Sequence, residues 1–143
     1  VPGEHDVLSP AGIAARPSGG FYVSSVITGV INEYDADWGF VRTILAPGPG
    51  EGIGADTTLS TGTPLGIGVD PAGTIWYADI GIVNDPEDGF GPGDGTGTVR
   101  RITFVDGEPQ PPETVAAGLD FPDGIGVYVP GGAASGGGGS SAA

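Results

Sequence analysis

The sequence predicts an all-β fold, and three observations support that prediction. Short apolar runs rich in Val, Ile, Tyr, Phe and Trp recur along the chain, and residues of these types favour strands. Glycine and proline, 30 and 14 of the 143 residues, separate the runs and are typical of tight turns. The runs also recur in the same order, which indicates a repeat architecture.

Three segments of the chain align with one another, at 9–24, 63–79 and 121–130. Each has a proline two residues before a glycine, and an apolar run follows. The prolines Pro10, Pro64 and Pro122 are 54 and 58 residues apart, slightly more than the roughly 40–50 residues of a propeller-blade repeat. This spacing predicts blades in which one connecting loop is enlarged.

Each full copy of the repeat divides into four predicted strands. In the first copy these are 12–15, 20–24, 29–35 and 40–45. In the second copy they are 66–70, 74–79, 98–104 and 113–117, and the third copy supplies a ninth strand at 124–129. We therefore predict a partial β-propeller, with two four-stranded blades plus the first strand of a third.

The predicted domain boundaries follow the repeat. They are 1–8 for a loop or the end of a preceding blade, 9–62 for blade one, 63–120 for blade two, 121–130 for the inner strand of a third blade, and 131–143 for a linker or tail. The last segment contains only Gly, Ser and Ala, a composition typical of flexible linkers.

The second copy reads Pro-Leu-Gly-Ile-Gly-Val-Asp-Pro-Ala-Gly-Thr-Ile-Trp-Tyr-Ala-Asp from Pro64 to Asp79. It resembles the repeats of the NHL and SMP-30 (gluconolactonase-like) six-bladed propellers, and the resemblance covers 9–130. The resemblance implies blade architecture more directly than activity, since a fold does not determine a function. It implies protein, peptide or RNA binding for the NHL class. For the lactonase-like class it implies a divalent cation, usually calcium, on the channel axis.

The same resemblance implies that an Asn or Asp between the Pro and the Gly of each copy holds that cation. The three positions are Ala11, Leu65 and Asp123, so only Asp123 offers a carboxylate. Calcium takes about six to eight oxygen ligands, and one aspartate does not complete a site. Either further blades supply the other ligands or the metal has been lost. Asp123 would then be an ordinary turn residue before glycine.

A second candidate metal ligand is Asp79, which closes the second strand of the better copy; a structural role, in which its side chain bonds loop amides at the blade end, is the alternative. The acidic, glycine-rich insertion 80–98 is an alternative calcium loop. Its candidate ligands are Asn84, Asp85, Asp88 and Asp94. The insertion departs from the EF-hand pattern at Pro86 and Gly95, so a solvated loop is the other interpretation.

The sequence contains no complete catalytic set, because His5 is the one histidine and cysteine is absent. Whether the chain is an enzyme stays open, and the ligand pocket is not predicted. Five aromatic residues either line a pocket or are buried between blades: Tyr34, Trp38, Phe40, Phe90 and Tyr128. Arg100 and Arg101 are adjacent on a strand and therefore point to opposite faces. We expect one to pair with a carboxylate and the other to face solvent.

The charge is strongly negative, with 18 acidic residues against four basic ones and a net charge of −14. Such a surface repels phosphate backbones and excludes nucleic acid as a partner. It fits either plain solubility or a salt-rich host. No apolar run reaches the roughly 18 residues of a membrane span. No cofactor is certain, and calcium is the candidate.

A ring segment of this kind leaves both terminal blade faces bare, so something must cover them. Three arrangements are open: a segment of a longer propeller, a ring built from three identical chains, and an open stack of chains. We predict a binding or structural module, extracellular or at the cell surface. Its partners would be the remaining blades or identical subunits. The alternative is part of a calcium-dependent SMP-30-like lactonase or esterase.

Overall fold

Two four-stranded antiparallel sheets form the framework of the fold. The computed structural model describes residues 4–52 and 59–131. The predicted linker therefore lies outside the described residues, apart from residue 131. Among the residues described, no helix is long and apolar enough to span a membrane.

Blade one is a meander of four strands paired in chain order. These are β1 (Pro10–Ala15), β2 (Phe21–Ser25), β3 (Val30–Tyr34) and β4 (Phe40–Leu45). The turn from β1 to β2 ends at Gly20, which has a φ of 83°. A side chain there would collide with the backbone carbonyl of Tyr34, so the turn requires glycine.

Blade two has the same four-strand order but carries two extra hairpins. Its sheet strands are β5 (Pro64–Val69), β6 (Ile75–Asp79), β9 (Gly97–Ile102) and β12 (Glu113–Leu119). The hairpins are β7 (Ile82–Asp85) with β8 (Gly89–Pro92), and β10 (Phe104–Val105) with β11 (Glu108–Pro109). The second hairpin turns at Asp106 and Gly107, both with positive φ, as a two-residue turn between twisted strands requires.

The eight predicted strands of the two blades are present, with shifted ends. The first strand of each blade begins two residues earlier than predicted, at its proline. The predicted strand 98–104 stops at Ile102, and Phe104 starts the separate hairpin β10–β11. The insertion 80–98 was expected to be a loop, yet it contains the hairpin β7–β8. Each hairpin satisfies its own backbone groups, so an enlarged loop can still be regular.

The blades stack with β1 against β5, and the core lies between them. A Cβ on Gly12 would lie 2.5 Å from the backbone oxygen of Leu65, so β5 can approach β1 this closely because residue 12 is glycine. The buried core residues are Tyr22, Ile31, Ile44, Leu45, Ile67, Ile75, Tyr77 and Ile102. Each side chain of this size contributes about 1.5–3 kcal/mol when fully buried.

The ninth predicted strand, 124–129, is not a strand in the structure. The described residues contain no neighbouring strand for it to pair with, and a strand needs such a ladder partner. The segment nevertheless packs on β5. A Cβ on Gly68 would lie 3.0 Å from side-chain carbons of both Ile125 and Val127. A Cβ on Gly66 would meet the backbone of Asp123, as one on Gly12 would meet that of Leu65. The stacking step between the blades is therefore repeated.

Large apolar side chains are exposed in and beside both blades. In and beside blade one these are Leu8, Ile13, Ile27 and Val41. In and beside blade two they are Val105, Val115, Phe121, Val127, Tyr128 and Val129. A set of this size is typical of surfaces that other protein covers.

Candidate functional site

The carboxylate of Asp79, at the end of β6, is the centre of a buried polar network. Its Oδ1 accepts hydrogen bonds from the backbone N–H of Thr63 at 2.8 Å, from the Thr63 hydroxyl at 3.1 Å and from the Gly81 N–H at 3.0 Å. Its Oδ2 accepts from Arg100 Nη2 and from the Thr98 hydroxyl, both at 2.9 Å. Five donors, one of them charged, offset the cost of burying this carboxylate.

The network joins residues 60–63, which lead into blade two, to strands β6 and β9 of that blade. Arg100 also donates to the carbonyl of Ser60 at 2.7 Å, and the Tyr77 hydroxyl donates to the carbonyl of Thr61 at 2.9 Å. Burial raises the pKa of Tyr77 far above its usual value, so this hydroxyl stays protonated. Gly62 has a φ of 68°, and a side chain there would collide with the Asp79 carboxylate. These contacts explain the sequence Thr-Gly-Thr at 61–63.

Asp79 as a metal ligand stays a prediction. A cation at its carboxylate would have to displace Arg100 or the hydrogen bonds from Thr63 and Gly81. Those two amide hydrogen bonds are the contacts expected of the structural interpretation.

We call β1, β5 and 122–129, which pack on one another in that order, the inner segments. Ala11, Leu65 and Asp123 occupy equivalent positions in them. The Ser24 hydroxyl accepts from the N–H of Gly12 and donates to the carbonyl of Leu65, both at 2.9 Å. Ala11 and Asp123 are exposed, and Leu65 is half-buried. Its carboxylate is the one acidic group among these three positions, so its role as a metal ligand stays a prediction.

The hairpin β7–β8 brings together three of the four residues of the predicted calcium loop. Asp85, Asp88 and Asp94 line a cavity of about 260 Å³, while Asn84 does not line it. Asp85 Oδ1 accepts from the backbone N–H groups of Asp88 at 3.0 Å and Glu87 at 2.7 Å. These hydrogen bonds lower the pKa of Asp85 and commit one of its oxygens to the turn.

Within 4–52 and 59–131, no three His, Asp or Glu side chains converge as a metal-binding group. Asp85, Asp88 and Asp94 line the same cavity, but their carboxylates do not converge on one point. Calcium needs several oxygens at about 2.3–2.6 Å from one point. Calcium binding by this loop therefore stays a prediction as well.

The five aromatic residues do not line one pocket. Trp38 stacks on Phe21 with ring centroids 4.4 Å apart, and Phe40 stacks on His5 at 3.7 Å. Tyr34 meets the Phe40 ring edge-on at 6.0 Å. Phe90 is exposed on the β7–β8 hairpin, and Tyr128 is exposed beyond blade two. They therefore divide among three separate surfaces.

One cavity that the sequence does not predict lies where the three inner segments end. Its volume is about 460 Å³, and equivalent residues of the three repeat copies line it. They are Ala15, Arg16 and Pro17 from the first copy, Val69, Asp70 and Pro71 from the second, and Val127 and Val129 from the third. A cation and a carboxylate on apolar walls are a combination that can orient a small polar ligand. The recurrence of proline at 17 and 71 was the one sequence signal for it.

A charged row crosses blade one on the side that faces blade two, and sequence reasoning missed it. Glu33 is buried between two arginines, with Arg16 Nη1 2.8 Å from its Oε1 and Arg42 Nε 2.8 Å from its Oε2. The Arg16 guanidinium lies 5.4 Å from the centroid of the Tyr22 ring. We call these four side chains the charged row of blade one. Paired in this way, a buried carboxylate is tolerated inside a blade interface.

Arg100 and Arg101 lie side by side on β9, and each has an acidic partner. They point to opposite faces of β9, as predicted, but both pair with carboxylates. Arg100 pairs with Asp79, and Arg101 Nη2 lies 2.9 Å from Glu113 Oε2. Arg101 is 38% exposed, and it is paired as well because β12 places Glu113 directly across from it, a register that the sequence does not display.

Two stacked four-stranded blades, with inner strands packed on one another, place the chain among the β-propellers as a partial one. No protein-family model matches it, and no curated protein matches it. Among solved structures it is similar to the PQQ-bound form of an aldose sugar dehydrogenase from Streptomyces coelicolor, a β-propeller enzyme. The TM-score is 0.51 and the identity 21%, over 78% of this chain and 31% of that one. At this identity the similarity shows the fold alone.

Proposed function

We propose that this chain is a binding or structural segment of a β-propeller with repeats of the NHL or SMP-30 type, completed by further blades or subunits. One observation carries the proposal. Residues 122–129 pack on β5 as β5 packs on β1, yet Val115 of β12 and Tyr128 of this segment are exposed. A propeller is stable because each blade buries its face against the next, and this face has no cover among the described residues.

The proposed binding surface is formed by the residues at the C-terminal ends of the inner segments, at 15–17, 69–71, 127 and 129. The cavity of about 460 Å³ lies there, between Arg16 and Asp70. Because equivalent residues of each copy line it, every added blade would extend it around the ring. Ligands of propellers with this layout would be peptides or glycans long enough to contact several blades.

The exposed faces give the direct test of the proposal. We expect the purified chain either to self-associate in sedimentation velocity or to bind an apolar dye such as ANS as a monomer. Tyr128→Ser, on the uncovered side of blade two, should lower dye binding. Phe90→Ser, on the β7–β8 hairpin, is the matched control and should not. A compact monomer that binds no dye and unfolds cooperatively would contradict the proposal.

A calcium-dependent lactonase or esterase is the alternative, and the exposed Asp123 at its repeat position supports it. The two proposals differ on calcium. For a structural module we expect the same melting temperature in calcium chloride and in EDTA. A calcium-dependent rise that Asp123→Asn abolishes and Asp88→Asn preserves would favour the lactonase. A rise that Asp88→Asn alone abolishes would instead place calcium at the β7–β8 hairpin.

A further inference from the structure

At the contact between the two blades, a hairpin of blade two meets Arg42 at the end of the charged row of blade one. Arg42 Nη2 donates to the carbonyl of Gly107, at the tip of the β10–β11 hairpin, at 2.9 Å. Arg42 Nη1 lies 3.8 Å from Glu108 Oε1, and the guanidinium lies 6.0 Å from the Phe104 ring centroid. The hairpin between the third and fourth strands of blade two thus meets the cation of blade one with acceptors and a carboxylate.

Blade two carries the same row with every charge reversed. In blade one, Tyr22 pairs with Glu33 across the sheet and Glu33 with Arg42. In blade two, the same register joins Trp76 to Arg101 and Arg101 to Glu113. Asp70 takes the place of Arg16, and its Oδ2 accepts from Trp76 Nε1 at 3.1 Å. We call the four side chains Asp70, Trp76, Arg101 and Glu113 the charged row of blade two.

The end of this second row has no covering hairpin among the described residues. Glu113 stands where Arg42 stands in blade one, and its side chain is 61% exposed. Beside the row, a cavity of about 260 Å³ lies between Trp76, Val99 and the segment 125–128. The interface seen between blades one and two therefore continues here as an open face.

We propose that the open face of blade two docks a blade of the same repeat whose hairpin between its third and fourth strands presents a cation or N–H groups to Glu113. The proposal rests on the proposed function, and it names the partner. The segment 122–129 fixes where the inner strand of that blade lies. In blade one, the cation Arg42 meets a carbonyl and a carboxylate on the covering hairpin. By the same complementarity, the exposed carboxylate of Glu113 requires a positive charge or N–H donors on the hairpin that covers it.

A second copy of this chain does not meet that requirement. A copy could follow blade two only with its own blade one, since blade one already covers the corresponding side of blade two. With its β1 displacing 122–129 from β5, its hairpin between β3 and β4 would face Glu113, and this hairpin carries Asp35 and Asp37. Carboxylates on both sides disfavour the contact, so the charge reversal selects a different blade over an identical chain.

The experiment places a positive charge on the β3–β4 hairpin of a second copy, where it can meet Glu113. Asp37 is exposed at the tip of the hairpin, so Asp37→Arg in the full chain presents a guanidinium to Glu113 of another copy. We expect its self-association constant, from sedimentation equilibrium at low salt, to exceed that of wild type by about fivefold, and the gain to vanish near 1 M salt. Asp88→Arg is the matched control, with the same change in net charge on the β7–β8 hairpin, and should show no gain.

A second set of variants tests the direction of the charges. Arg101→Glu with Glu113→Arg reverses the pair of blade two at unchanged net charge. Added to Asp37→Arg, the double change should abolish the gain in association. Equal association of Asp37→Arg and Asp88→Arg would overturn the inference, as would strong self-association of wild type through this face. If wild type still bound ANS in that case, or assembled, the proposed function would stand and only the choice of partner would fail.

Discussion

The two blades carry equivalent charged rows in opposite surroundings. In blade one the central Glu33 side chain is 5% exposed, because blade two covers it. In blade two the equivalent Arg101 is 38% exposed and its partner Glu113 61%. The ion-pair distances are nearly the same, 2.8 Å and 2.9 Å. Since desolvation decides what an ion pair contributes, the covering blade rather than the geometry sets the energetic importance of each row.

The largest expected difference between the blades follows from removing the central charge. Glu33→Gln leaves Arg16 and Arg42 facing each other in the interface, and we expect a loss of about 3 kcal/mol of unfolding free energy. Arg101→Gln, at the equivalent exposed position, should cost less than about 1 kcal/mol. Urea denaturation of both variants measures the difference. Equal losses would show that the blade interface does not shield the first row from solvent.

The next comparison concerns the residues that close the second strand of each blade. Asp79 ends β6 in blade two, and Ser25 takes its place in blade one, where its hydroxyl oxygen accepts from Thr28 Oγ1 at 2.8 Å. Asp79→Asn removes the ion pair with Arg100 and should cost about 2 kcal/mol, whereas Ser25→Ala should cost about 1 kcal/mol. Thermal unfolding of the two variants gives the ranking. A smaller loss for Asp79→Asn would indicate that Arg100 finds another partner.

The smallest expected effect is at high pH. Burial raises the pKa of Tyr77 above the unfolded value of about 10, and it also raises that of Tyr22, where a hydrogen bond to Arg16 opposes the shift. The unfolded chain therefore loses its tyrosine protons first. The stabilisation is complete below about pH 10 and is lost as the pH rises toward the folded pKa.

Tyr77→Phe tests this pH dependence. We expect it to cost about 1 kcal/mol at neutral pH, through the lost hydrogen bond to Thr61, and to make the fall in stability above pH 10 shallower. Denaturation series at pH 8 and at pH 11 measure both effects. An unchanged slope would place the alkaline sensitivity elsewhere.

Strand positions could be predicted because glycine and proline turns separate the apolar runs and repeat with the blade. The charged rows could not. Glu33 and Arg42 are nine residues apart and Glu33 and Arg16 seventeen, so their meeting depends on register, including the irregularities in the β3–β4 pairing. The hairpin β7–β8 was missed because its glycines resemble a loop. The ninth strand was over-predicted because strand propensity alone does not supply a pairing partner.

Glycine on the inner segments determines how closely successive blades can stack. Gly12 and Gly66 lack a side chain at the point where one inner segment packs on the next, and a Cβ at either position would collide with a backbone oxygen of that neighbour. Glycine at these positions therefore lets one inner segment approach the next closely. Gly124 occupies the third such position, and no described atom lies within 4 Å of where its Cβ would stand. The chain thus carries a glycine at the third such position as well, where a further inner strand could pack as closely as β5 packs on β1.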